Sequence, residues 1–436
     1  PSPSPSPTPS PSPSPTPPPN LHQWGAVTSF HGLPSDRTHA IAQTEFGVTW
    51  FATDGGLARF DGRRTSAVTA DGLPTGKVLA LKADQSGALW IGTENGAARL
   101  LNDKFETIKE TAGKIITAII TPERDHAIMA SENGQIFDCR VTQPAASRLA
   151  VTDDERNPPP TLTVRAIPER PLQSADKDQP GPLKLTSLAK VGDKLYAGTQ
   201  SRGIIEIQNG EAKEVVSKPR SFFINALETD VHGRLWVGAR GAKDDSAIFD
   251  QSDPLKPARA NAATGPVTAI AHGAGEDIWV ATDGHGAFLF QNGKAVEHFT
   301  FEETGGALRS DHVYGVFVDA EQVIWFATDK GVCRYDPHAV RTEAISSDSN
   351  ANYVRALWLN AKGGALAGTN AGLYASETGE QTWFANPEIG RRTVYAIAEE
   401  NGRVLVGTAS GLFASSGDQK TFTRIASATN NLPQGD

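Results

Sequence analysis

What most constrains the fold is a stretch the chain writes again and again. Between Val78 and Leu100, two short strand-like runs, Val78–Lys82 and Ala88–Thr93, flank an Asp84–Gly87 turn, and Gly96 opens a third run. The pattern returns at Thr38–Asp61, with Trp50–Thr53 and Gly55–Asp61, and at Val313–Asp336, with Trp325–Thr328 and Gly331–Asp336. Aligned on the residue that ends the second run, nine copies appear: Thr53, Thr93, Ser131, Thr199, Ala239, Thr282, Thr328, Thr369 and Thr408. Their spacings are 40, 38, 68, 40, 43, 46, 41 and 39, so one interval alone is far off the period. A period near 40 residues with about four strands per unit is what a β-propeller blade requires.

Two positions within the repeat carry the packing argument. The slot three residues before the anchor holds Trp50, Trp90, Trp236, Trp279 and Trp325, five of the eight tryptophans in the chain. The first run holds a small residue flanked by apolar ones: Ala40, Ala80, Ala118, Ser187, Ala226, Ala269, Gly315, Ala356 and Ala396. In a propeller the first strand of each blade lines the central channel, where sheets converge and only small side chains fit. Large aromatics belong further out, where the wedge between blades widens; each buries roughly 150–250 Å².

The 436-residue length exceeds the usual single domain, but a propeller grows with its blade number. A formal net charge of −9 leaves no basic surplus for phosphates, which argues against a nucleic-acid partner. The chain contains no run of 18 apolar residues, so no membrane-spanning segment is expected within it. Cys139 falls in copy three and Cys333 in copy seven, too far apart around a ring to be bonded, because a disulfide needs Cα atoms within about 7 Å.

Residues 1–20 are a Pro/Ser/Thr tract that cannot pack a core; it reads as an extended polyproline II linker or stalk. Such tracts suit secreted or surface-tethered proteins, and an extracytoplasmic location, in the periplasm or at the cell surface, is expected. Residues 21–436 read as the propeller. Trp24–Phe30 is expected to be a lone outer strand that completes the last blade and latches the ring. The long interval of 68 predicts an insertion at about 150–182, rich in Pro, Asp and Lys, and a shorter irregularity occupies Arg240–Ser246. The closing Asn431–Asp436 repeats the turn at 72–77, as though a tenth copy would begin. Seven, eight or nine blades are all compatible with this arithmetic. The bracketing of whole copies favours a single ring over seven blades plus the start of a second.

The composite of these copies resembles the two-component regulator propeller repeat; Leu33-Pro34, Trp50–Gly62, Leu73-Pro74, Val78–Arg99, Asp230–Gly238 and Trp325–Asp336 carry the likeness, which extends over about 22–436. The resemblance implies an all-β propeller of four-stranded antiparallel blades. It also implies the extracytoplasmic sensor role that such repeats often play in hybrid histidine kinases, where they often come as two seven-bladed rings.

The residues supply no strong catalytic set. Asp84–Gly87, Asp230–Gly233 and Asp283–Gly286 read as hairpin turns rather than metal sites, because Asp and Gly are turn residues. No cofactor is implied, and binding rather than catalysis is expected. The free position beside each small inner-strand residue stands out instead: His39, Leu79, Thr117, Thr186, Asn225, Thr268, Tyr314, Arg355 and Tyr395 vary while their neighbours repeat. With the preceding turns this gives a candidate channel-mouth set of His39, Asn225, Tyr314, Arg355, Tyr395, Arg37, Asp311 and His312, joined in those turns by Arg391 and Arg392. Aromatics with Arg suit a small-molecule or oligosaccharide ligand, a carboxylate or a peptide. The alternatives are a surface-anchored scaffold that docks another surface protein, and, more weakly supported, a propeller lyase or hydrolase.

Overall fold

The computed structural model describes residues 23–426 apart from 45–46, 143–159, 169–170, 174–180, 209–210, 215–222, 241–246, 251–257, 260–264, 340–343, 361–362, 378–381 and 417–420. The tract at 1–20, the turn Asn431–Asp436 and most of Arg240–Ser246 lie outside the described residues.

All nine copies form four-stranded antiparallel sheets. The other regular elements among the described residues are two short 3-10 turns, Ser29–His31 and Lys109–Thr111. In blade one the strands are Thr38–Gln43, Thr49–Thr53, Gly56–Phe60 and Thr65–Val68, paired in that order from the inside out. The alternation of buried and half-exposed residues follows from the two-residue period of a strand. The tryptophans of the repeat lie on the second strands and are buried, Trp90 completely.

Each recurring residue has a local reason. Trp90 Nε1 donates to Asp84 Oδ2 at 2.8 Å, Trp236 Nε1 to Asp230 at 2.9 Å and Trp325 Nε1 to Asp319 at 2.7 Å. The same carboxylates accept backbone N–H groups of their own turns, as Asp84 does from Ser86 and Ala88. One Asp therefore closes the hairpin and satisfies an indole that burial would otherwise leave unpaired. The anchor Thr does similar duty at the other end: Thr93 Oγ1 donates to Gly96 O at 2.8 Å and accepts from Asn95 N at 3.0 Å. At Gly96 the backbone turns with φ of 124°, a conformation that favours glycine.

Seven of the sheets stand in a circuit. The inner strands Thr38–Gln43, Val78–Ala83, Ile116–Glu123, Leu185–Val191, Phe223–Thr229, Val267–His272 and Val313–Val318 each neighbour the next, and the seventh lies against the first. The ring is thus one of seven blades, a correction to the single ring of all copies favoured above. The reason is the latch. Trp24–Val27 pairs antiparallel with Gly331–Tyr335, the third strand of blade seven, from Trp24↔Tyr335 to Val27↔Val332. Trp24 enters an aromatic cluster there, 4.7 Å from Tyr335, 5.9 Å from Phe299 and 6.1 Å from Phe326 between ring centroids.

Two further expectations are corrected. The N-terminal strand ends at Val27 rather than Phe30, because Thr28 and His31 cap a 3-10 turn that leaves Phe30 99% exposed. Within the supposed insertion at 150–182, Thr161–Ala166 is the outer strand of blade three, paired with Ile136–Thr142. Leu172 and Leu183, beyond that strand, are buried in the core between blades three and four.

Blades eight and nine belong to a second compact unit, Arg341–Asp436. Their inner strands, Val354–Leu359 and Val394–Glu400, neighbour each other around a core of Leu366, Leu373, Val394, Val404, Val406 and Phe413. Both thiols, Cys139 and Cys333, are free and buried in the ring.

Candidate functional site

The free position of the repeat has a structural identity. In every blade the inner-to-second strand register shifts between the small residue and the one two positions before it, which is apolar in all blades but the first, where it is Thr38. The residue stepped over is His39, Leu79, Thr117, Thr186, Asn225, Thr268, Tyr314, Arg355 or Tyr395. A bulge of this kind takes one residue out of the ladder and re-aims its side chain, so the sheet places no demand on its chemistry.

Four of these side chains turn onto the next blade. Thr117 Oγ1 donates to Leu185 O at 2.9 Å, Asn225 Nδ2 to Val267 O at 2.9 Å, Thr268 Oγ1 to Val313 O at 2.5 Å, and Thr186 Oγ1 to Ile224 O. Each acceptor is the residue just before the next bulge. A girdle of side-chain-to-backbone bonds therefore runs from blade three to blade seven, and Asn225, picked out for ligand contact, uses its amide N–H on blade six.

The girdle stops where blade seven meets blade one. Gly315 allows the close approach: a Cβ there would lie 2.7 Å from His39 O. Tyr314 and His39, ring centroids 6.1 Å apart, turn to other partners at the end of the channel where the inner strands begin. Arg37 NH2 donates to Tyr314 OH at 2.9 Å, with its guanidinium carbon 5.0 Å from the ring centre. His39 Nε2 lies 2.7 Å from Asp54 Oδ1, which Lys77 Nζ also approaches at 3.4 Å. Burial pushes the Asp54 carboxyl up, but the His39 hydrogen bond and the charges of His39 and Lys77 outweigh it and hold Asp54 below the usual carboxylate range. Burial raises the Tyr314 phenol, with Asp329 and Asp283 adding to the rise against the pull of Arg37, so Tyr314 stays a neutral hydroxyl.

On the same rim His312 Nδ1 lies 2.5 Å from Asp283 Oδ1. Asp311 is tied into its loop: its Oδ1 accepts from Phe301 N at 2.7 Å, and its carbonyl accepts from Gly284 and Gly286 N. Asp329, in the second hairpin of blade seven, holds Oδ1 buried without a hydrogen-bond partner among the described residues. Below this rim the seven inner strands enclose a channel of about 430 Å³ that runs from His39 and Tyr314 to Gln43, Glu228 and His272.

Six of the eight candidate residues thus fall in the ring: Tyr314 with Arg37 and His39 each beside it, Asp311 and His312 nearby in sequence to Tyr314, and Asn225 on blade five. Arg355 and Tyr395 are in the second unit, where the Arg355 guanidinium lies 5.4 Å from the Tyr395 ring and 5.5 Å from that of Tyr353. Asp54, Lys77 and Asp283 were missed. The signal was available, since the position after the anchor is acidic in five ring blades: Asp54, Glu94, Glu132, Asp283 and Asp329. Among the described residues no group of three or more His, Cys, Asp or Glu side chains is placed to hold a metal ion.

A closed circuit of four-stranded antiparallel sheets around a channel, latched by a strand from the other end of the chain, defines a β-propeller. Residues 72–95, in the second copy of the repeat, match the profile of the two component regulator propeller. The chain is similar to the extracellular domain of BT4673 from B. thetaiotaomicron, a putative one component system, with TM-score 0.54 and 17% identity over 94% of this chain and 55% of that one. A second structure of a BT4673 extracellular domain, there called a putative hybrid two component system, gives TM-score 0.52 and 17% identity over 93% of this chain and 54% of that one. A catalytically inactive virginiamycin B lyase from Staphylococcus aureus with Quinupristin gives 0.51 and 16% over 71% of this chain and 98% of that one. At these identities the likeness is one of fold, and the chain spans about half the length of the BT4673 domain. No curated protein sequence matches.

Proposed function

We propose that the chain is an extracytoplasmic sensing propeller that binds a small molecule or oligosaccharide at the channel mouth and does no chemistry on it. The observation that carries this is the break in the girdle. Where Thr117, Thr186, Asn225 and Thr268 hold the next blade, His39 and Tyr314 pair with mouth residues instead. A neutral phenol, a guanidinium beside it and carboxylates on the same rim make a planar, donor-and-acceptor surface suited to a polyhydroxylated ligand. The buried, unpartnered Asp329 oxygen supports the same reading, since such an acceptor is costly until a donor reaches it. The absence of a helix among the described residues long and apolar enough to cross a membrane, and the Pro/Ser/Thr tract, are compatible with that location.

The test is calorimetric titration of a panel of neutral and acidic disaccharides into the parent protein and into Arg37→Ala and Tyr314→Phe. A ligand of the mouth should bind each variant about tenfold or more weakly than the parent, roughly 1.4 kcal/mol or more. Equal binding by all three proteins would rule the mouth out.

A further inference from the structure

Each sheet of the propeller has two faces, a leading one turned to the blade before it and a trailing one turned to the blade after. The residue that opens the inner strand, such as Val78 in blade two, is buried in every blade but the eighth, from Thr38 in blade one to Val394 in blade nine. It sits in a hollow on the trailing face of the preceding blade, at the residue before the anchor. A Cβ added at Gly92, Gly198, Gly238 or Gly368 would lie 2.4–2.8 Å from a methyl carbon of Ile116, Ile224, Val267 or Val394, respectively. The residue three positions further along the inner strand is covered in the same way. Ile41 shares a core with Trp325 of blade seven, and Leu81 shares one with Trp50 of blade one.

Among the described residues two faces lack this partner. Blade seven precedes blade eight in the chain, but its trailing face is taken by blade one. The leading face of blade eight is bare: Val354, which opens its inner strand, is 44% exposed, and Leu357, at the position of Ile41 and Leu81, is 60% exposed. On blade nine it is the hollow that stands open. A Cβ at Gly407 would meet nothing nearer than Ala396 of the same blade, at 3.8 Å. Thr408 beside it is the one anchor residue of the nine that is not buried. One chain thus carries an apolar projection without a hollow and a hollow without a projection, in the register that the ring blades use with each other. Covering the first with the second removes apolar surface from water, and a contact between two unlike patches joins copies head to tail.

We propose that blades eight and nine form an interface between copies of this chain, in which blade eight of one molecule receives the trailing face of blade nine of another. Val354 enters the hollow at Gly407, and Leu357 packs on Leu405, which stands in the tryptophan slot. The test is sedimentation equilibrium of the 436-residue chain from micromolar to near-millimolar concentration. The mean mass of the parent should rise with concentration. Leu357→Glu, which spoils the leading face, and Gly407→Glu, which fills the hollow, should each associate about tenfold or more weakly. Mixed together, the two variants should pair as dimers and go no further, because each supplies the face that the other has lost. Far-ultraviolet circular dichroism checks that each variant keeps its sheets. A parent that stays monomeric throughout, association that survives Leu357→Glu, or a mixture that stays monomeric would overturn the interface. Should Gly407→Glu lose its sheets, Leu357→Glu decides alone, since its side chain is already in water: undiminished association refutes the proposal.

Discussion

Neighbouring blades meet in places so closely that a methyl group has no room. A Cβ added at Gly238 would sit 2.4 Å from Val267 Cγ1 and 3.1 Å from Ala226 Cβ, the inner-strand residues of blades six and five. Gly238→Ala is therefore expected to destabilise by about 1–3 kcal/mol through overpacking, measured by denaturant unfolding. Charge is settled residue by residue as well. Burial raises the Asp138 carboxyl, but the hydrogen bond and charge of the buried His126, 2.6 Å away, and the charge of Arg140 outweigh it and hold it below its ordinary 3.8. A carboxylate depressed in the folded state contributes stability that is fully present above the ordinary value and is lost as pH falls through the folded one. Asp54 and Asp230 are shifted in the same direction. Stability should thus decline below about pH 4, and Asp138→Asn should be less stable at neutral pH yet lose less of its stability on acidification. Denaturant midpoints taken from pH 6 down to pH 2 check both parts.

At the scale of the strand, the bulge separates residues that hold the ring from residues it leaves to other work. Thr117→Val and Thr268→Val each leave a carbonyl of the next blade without its partner and should cost about 0.5–1.5 kcal/mol. They sit in blades three and six without shared partners, so the double variant should cost the sum to within about 0.5 kcal/mol. Tyr314→Phe lies outside the girdle and should change stability by less than about 0.5 kcal/mol; unfolding curves of the four variants give the comparison. Strands, turns and the small inner residue were legible because each follows from local chemistry: period-two burial, Asp and Gly at hairpins, no space near the axis. The varying position was legible as variation, and its cause, a bulge, needs the paired strand to be seen. Thr161–Ala166 went unread because outer strands carry no repeat mark and this one follows a run of prolines. Asp54 escaped notice in the sequence because its contact with His39 and Lys77 is made by three separate segments.

At the scale of the whole molecule, blade number was the part the repeat could not supply. Each sheet touches its neighbours alone, so the period reads the same whether seven or nine follow; closure depends on which sheet receives the strand Trp24–Val27. In the second unit, Leu357 and Leu359 are 60% and 64% exposed on an inner strand, whereas Ile41 and Leu81, at the position of Leu357, are buried in the ring. A fragment of residues 22–340 is therefore expected to unfold in one cooperative transition, and a fragment of residues 341–436 to show none, by differential scanning calorimetry. The latch also sets a clock. Gln23 and its partner Tyr335 are 312 residues apart in sequence, so the strand Trp24–Val27 leaves the ribosome long before the sheet that receives it. At roughly 5–20 residues per second, that strand waits on the order of 15–60 s with its edge unpaired and Trp24 without its cluster. Blades one to six can form meanwhile, each against the one before it, but the ring cannot close until blade seven has been made. A newly made chain thus spends its most aggregation-exposed interval with two loose ends of one seam, and whatever holds Trp24–Val27 apart from other chains in that interval governs the yield of folded protein.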